Sequence, residues 1–174
     1  MIEGGKGGSH TQTGLEFESR ISLKKAFEEA EGYAVEKDVV YYNGDKVAEL
    51  YQKGKIYSKL LKKYNINYKD YISTKLLPDD AIFVLRNKTM YIIEKKFQRV
   101  SGSVDEKLQT CDFKNRQYKK LFSKLDLKVK YIYILNDWFK NDRYMDVLEY
   151  VSSVGCYYFF NGIQFEFLGL PIPK

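Results

Sequence analysis

At 174 residues, with 44% hydrophobic and 16% aromatic side chains, the chain can bury one packed core but would leave two thin ones if divided. Charged residues make up 30% of it, which excludes a membrane-like composition, and two cysteines with one histidine exclude a disulfide framework or a His-rich zinc site. A formal charge of +6 and a pI near 9.0 suit a polyanionic partner, although a solvated lysine-rich surface gives the same balance.

Residues 1–13 (MIEGGKGGSHTQT) are too rich in glycine to pack, and they read as a flexible arm ahead of a single domain over 14–174. No apolar stretch of signal-peptide or membrane-span length follows, so the expected address is the cytoplasm of a prokaryotic or phage-infected cell. GxxxxGK[ST] spacing is absent, which argues against a phosphate-cradling loop. From Thr13 a helix is expected to run to Gly32, with Thr13 as cap, Glu16 completing a capping box, and Leu15, Ile21, Leu23 and Phe27 near a 3.6 period.

YAVEKDVVYY reads as a strand, Asn43-Gly44 as a hairpin turn and KVAELY as the return strand. KIYSKLLKKYNI is expected to form a short basic helix with Ile56, Leu60 and Leu61 inward. KLLPDDAIFVL and MYIIEKKFQ, joined by the turn RNKT, should be antiparallel neighbours. Ser103 and Glu106 have capping-box spacing ahead of the helical stretch VDEKLQTCDFKNRQYKKLFSKL. KVKYIYILND reads as a strand, DRYMDVLEYV as a helix, and CYYFF-NG-IQFEF as a C-terminal hairpin. A strand meander covered by helices makes an α/β (α+β) layered domain. Cys111 and Cys156 are read as small packing residues of a reducing compartment.

Side chains alternate along a strand, so Glu94, Lys96 and Gln98 share one face of YIIEKKFQ while Lys95 takes the other. A carboxylate and an ammonium on an apolar strand cost desolvation unless function compensates. The hairpin from Pro78-Asp79 can bring a second carboxylate beside Glu94. Two carboxylates repel, and a hard cation such as Mg²⁺ relieves that repulsion while leaving room for water and phosphate oxygens. A lysine beside them can stabilise charge on a phosphoryl group under attack. The [DE]-x-K pattern also occurs at Asp105–Lys107 and Asp112–Lys114, but on a helix two positions apart do not share a face. A strand starting one residue later would present Asp80 in place of Asp79.

LLPDDAIFVLRNKTMYIIEKKFQ resembles the signature of the PD-(D/E)XK nuclease superfamily, to which type II restriction endonucleases belong. Pro78-Asp79 and Glu94-Lys95-Lys96 match its motif residue for residue, and the order helix–three strands–helix–strand over residues 13–135 is similar to its restriction-endonuclease-like core. GGSHTQTGLEFE and EKKFQRVSGSVDEKLQTCDFKNRQYKKLF also look similar to segments of small bacterial restriction endonuclease-like proteins. The resemblance implies a metal-dependent DNA endonuclease with Asp79 and Glu94 on the metal and Lys96 as the catalytic lysine. Mg²⁺ is the implied cofactor, with Mn²⁺ expected to substitute. Many members add a first-helix glutamate, and Glu18 stands at that place as a metal ligand or an ordinary surface residue. Double-stranded DNA is the expected partner, and a homodimer is expected because one site cuts one strand.

Further out, Gln98 can reach a phosphate, a base or a carboxylate, or simply end a strand. Ser103 precedes a helix start, where free N–H groups accept phosphate or a loop merely caps. Gln109 and Arg116, with Lys120, form a stripe that could follow a phosphate backbone or face solvent. Trp138 reads as packing. Two further readings stay open, a catalytically inactive nucleic-acid-binding domain of the same fold and a junction or repair nuclease.

Overall fold

A computed structural model describes residues 14–16, 22–99 and 104–173, and the side chains of 14, 16, 104 and 105 lie outside that description. The Gly-rich arm, Glu18 and Ser103 fall outside it as well.

The first helix is shorter than its periodicity suggests. Gly14–Glu16 forms strand β1 and puts Leu15 in the core as a strand residue. Helix α1 covers only Leu23–Glu28, and its cap is Ser22, whose hydroxyl accepts from the Lys25 N–H at 3.2 Å. Thr13 and Glu16 therefore do not start this helix, because the Ser22 side chain supplies the acceptor that its first turn needs.

YAVEKDVVYY is not one strand. Lys37 adopts a left-handed φ of 57° and reverses the chain, so Tyr33–Glu36 (β2) pairs with Val39–Tyr42 (β3). The Asn43-Gly44 turn, with both residues at positive φ, returns it as Asp45–Leu50 (β4), as this dipeptide favours. The apolar residues of 51–77 then cross one face of the sheet, with Ile56, Leu60 and Leu61 of a π-helical stretch, Ile56–Leu61, pointing inward.

Asp80–Val84 (β5) and Thr89–Lys96 (β6) form the expected antiparallel pair. Helices Val104–Leu108 (α2) and Cys111–Leu121 (α3) carry the chain over to Lys128–Leu135 (β7), which lies parallel to β6. Helix Met145–Ser153 (α4) then leads to Tyr157–Phe160 (β8), parallel to β7.

The result is a seven-stranded mixed sheet of order β2-β3-β4-β5-β6-β7-β8, flanked by helices. Five strands separate α1 from α2, where the expected core has three; four strands are read from the sequence in that stretch, and the Lys37 turn splits the first of them into β2 and β3. The C-terminal hairpin does not form. Asn161, at φ 61°, turns the chain away from β8, and Gly162–Gln164 (β9) pairs with β1 in a separate two-stranded sheet. Residues Phe165–Leu168 then coil into helix α5, whose Phe165 and Leu168 are fully buried.

Strand alternation divides the interior into two cores. Met90, Ile92, Tyr131, Tyr133 and Leu135 face α3 and residues 51–77, whereas Tyr91, Ile93, Ile132 and Ile134 face α1 and α5. Each fully buried Leu, Ile or Phe contributes about 1.5–3 kcal/mol relative to exposure. Cys111 and Cys156 are buried free thiols, as packing residues should be.

Candidate functional site

The site grows from the end of β6 on the α3 side of the sheet. β5 begins at Asp80, which sits opposite Ile93, so Asp80 belongs to the face of Ile82 and Ile93. Asp79 lies just ahead of the strand, and its charge, like that of Glu94, acts on Tyr118, whose ring packs on the face opposite Asp80. Lys95 extends to the Asp80 side and meets its carboxylate at 2.9 Å, where both side chains are largely buried. Asp80 is thus half of an ion pair on the face away from Glu94, yet still close enough to Asp79 to feel its charge. Burial raises its pKa above the ordinary carboxylate range, with the Lys95 hydrogen bond and charge pulling against that shift.

Asp79 is held by the sheet itself. Its Oδ2 accepts the Lys95 backbone N–H at 2.8 Å, continuing the ladder with a side chain where β5 has not yet begun. Glu94 is buried, at 7% exposure. Its Oε2 lies 3.1 Å from the Lys96 ammonium and its Oε1 lies 3.7 Å from the Lys114 ammonium. Beneath the carboxylates stand Tyr118 and Tyr131. Burial pushes the Tyr118 hydroxyl pKa up, and the charges of Glu94 and Asp79 push it further. Burial and then Glu94 do the same at Tyr131. Both hydroxyls therefore stay protonated around neutral pH.

Asn136 closes the end of the site. Its Oδ1 accepts from the Gln98 N–H at 3.1 Å and its Nδ2 donates to the Gln98 carbonyl at 2.7 Å. The amide acts as a short strand and prolongs β6 past Lys96. Gln98 is consequently buried, and its Oε1 has no hydrogen-bond partner among the described residues, an unmet acceptor on the strand that carries Glu94 and Lys96.

Asp79, Glu94 and Lys96 thus come to one face, with Gln98 beyond them. Lys114 and Asn136 were not singled out by sequence reasoning. Lys114 could have been found by helical periodicity, since it lies on the stripe with Tyr118 and Leu121 that packs on the sheet. Arg116 points away, paired with Asp112 at 2.9 Å on an exposed face. Gln109 lines a hollow of about 640 Å³ with Arg143, Tyr144 and Tyr150, apart from the carboxylates. The contacts made by Arg116 and Gln109 are thus with residues other than the two acids. Trp138 is a packing residue, its indole N–H donating to the Tyr144 hydroxyl at 2.7 Å.

Among the described residues no group of three or more His, Cys, Asp or Glu side chains is arranged to hold a metal. Two carboxylates sharing a face are what Mg²⁺ commonly takes from a protein, the remaining positions being filled by water and phosphate. No helix among the described residues is long and apolar enough to cross a membrane. Comparison with protein-family models, with curated proteins and with solved structures finds no match.

Proposed function

We propose that this chain is a metal-dependent DNA endonuclease of the PD-(D/E)XK kind, with Asp79 and Glu94 as the metal-binding acids and Lys96 as the catalytic lysine. The observation that carries this reading is the shared face. Glu94 and Asp79 both act electrostatically on Tyr118, Lys95 turns to Asp80 on the other face, and the Lys96 ammonium meets Glu94 at 3.1 Å, which together support a common site. The antiparallel run β4-β5-β6 followed by a helical crossover to parallel β7 supports the restriction-endonuclease-like core within the larger sheet.

Mg²⁺ bound by these acids would acidify a water and neutralise charge on the scissile phosphate. Lys96 is close enough to Glu94 to donate a hydrogen bond to a phosphate oxygen bound beside that acid, where a fixed cation counts most during displacement. Lys114 adds a second positive charge from α3, and the protonated Tyr118 and Tyr131 hydroxyls keep the floor neutral.

With supercoiled plasmid and Mg²⁺ the native protein is expected to nick or linearise DNA, and chelation by EDTA to abolish the reaction. Lys96→Ala should lower the rate about 10²–10³-fold, while its far-ultraviolet circular dichroism stays native. Equal cleavage by Lys96→Ala, or cleavage that persists in EDTA, would sink the assignment.

A further inference from the structure

The excess charge of this molecule is concentrated in one segment. Residues 51–77, between β4 and Pro78, hold seven lysines (53, 55, 59, 62, 63, 69 and 75) against one carboxylate, Asp70, which equals the +6 of the entire chain. The remainder of the protein is neutral in sum. This segment packs through Ile56, Leu60, Leu61 and Ile72 onto the face of the sheet that carries the candidate site. It is tied to the Asp79 loop directly, because the Lys53 N–H donates to the Pro78 carbonyl at 3.2 Å and the Tyr57 hydroxyl is bonded to both the N–H and the carbonyl of Leu76.

Its lysines are of two kinds. Lys55 and Lys59 are committed to Asp38. Lys53, Lys62 and Lys69 are exposed and make no ion pair among the described residues. Aromatic rings are interleaved with them. Tyr64 is 51% exposed, with the Lys63 ammonium 5.4 Å from its ring centre. Lys75 lies 5.2 and 5.0 Å from the rings of Tyr57 and Tyr68. These three residues, with Asn67, Leu61 and the exposed Leu77, line a hollow of about 480 Å³. Leu77 is two residues from Asp79.

We infer that residues 51–77 form the substrate-binding surface, and that it takes an unpaired nucleic-acid strand, with phosphates on Lys53, Lys62 and Lys69 and a base against Tyr64. The identification of the polyanion as a nucleic acid rests on the nuclease reading above. Free cations follow a phosphate chain, and the flat exposed ring of Tyr64 among them offers a stacking face that only unstacked bases can use. An anionic membrane fits less well, because the segment's aliphatic residues other than Leu77 are turned into the core and leave no apolar face to insert. The substrate class implied is DNA or RNA with a single-stranded portion, such as a flap, tail or junction.

The test is fluorescence anisotropy of the full chain, in EDTA so that nothing is cleaved, with a labelled single-stranded DNA, its RNA counterpart and the matching duplex. Single strands are expected to bind more tightly than the duplex, and the DNA and RNA arms identify the natural strand. Lys53→Gln/Lys62→Gln/Lys69→Gln should weaken binding by about tenfold or more and flatten the slope of log affinity against log salt by about 2. Tyr64→Ala should weaken single-strand binding by about tenfold with the salt slope unchanged. A control, Lys119→Gln/Lys120→Gln/Lys124→Gln, should bind as the native protein does.

Native affinity in the first triple variant, an equal loss in the control, tighter duplex than single-strand binding, or equal binding to phosphatidylserine vesicles would each overturn the proposal. Because no metal is needed, a protein that binds as described but never cuts would refute the nuclease reading alone. One that cuts while the lysine variants bind normally would refute this inference alone.

Discussion

Adjacent residues with the same side chain, Asp79 and Asp80, serve opposite faces of one sheet. Asp80 is buried against Lys95, and an ion pair removed from water depends on both partners being present. Lys95→Met would strand the carboxylate and is expected to destabilise the fold by about 3–5 kcal/mol near neutral pH. The pH dependence follows from the raised pKa of Asp80. Folding then favours the protonated acid, so its contribution to stability is full below the ordinary carboxylate value and lost as pH rises through the raised one. Lys95→Met should exaggerate that trend, with a larger drop in melting temperature at pH 7.5 than at pH 5. An equal drop at both would mean that Asp80 is not ionised in the native protein. Adding Asp80→Asn should recover much of the loss.

At the scale of elements, Asp38 acts as a clasp between the β2–β3 turn and the π-helical stretch. Partial burial opposes its ionisation, but hydrogen bonds from Lys55 and Lys59 and their charges outweigh that and hold its pKa below the ordinary range. The sign is opposite to that of Asp80. Stability from Asp38 is fully present above its unfolded value and disappears as pH falls through the depressed folded one. Asp38→Asn should lower the urea midpoint at pH 7, by about 1 kcal/mol in stability after allowing for solvent around both lysines. The gap from the native protein should close below about pH 4. A gap that stays constant down to pH 2.5 would refute the clasp.

The same turn explains where reading the sequence failed. Asn43-Gly44 is legible because its backbone preference is intrinsic. Lys37 carries no such signal, and only pairing with β3 stabilises its left-handed conformation. At the C-terminus the reverse held. Asn161-Gly162 did turn the chain, but turn chemistry does not choose the partner, and β9 found β1 instead of β8. The face of Glu94 and Lys96 was readable from alternation alone, and the β5–β6 register sets Asp80 beside Ile93, on the opposite face. Lys114 and Asn136 reach the site from elements distant in sequence; helical periodicity puts Lys114 on the packed stripe of its helix, but no local pattern announces the Asn136 contact.

Across the whole molecule, β6 is the strand where two kinds of pairing meet, antiparallel to β5 on one side and parallel to β7 on the other. Neighbours β2 to β4, and β5 with β6, are joined by short reversals, whereas β7 must return across residues 97–127 before it can dock. Local pairings close sooner than distant ones. Pulse-labelled amide exchange during refolding should therefore protect β3, β4 and the β5–β6 hairpin ahead of β7 and β8; β7 protected first would refute this order. The two acids are thereby brought together early, while Lys114 and the Asn136 clamp arrive only with the crossover. For an interval the refolding chain would hold the two acids with Lys96 as the cation on their own hairpin, at an unfinished sheet edge. Completing the parallel half both seals that edge and adds the second cation, Lys114, with the Asn136 clamp, so the last strands to dock complete the candidate site.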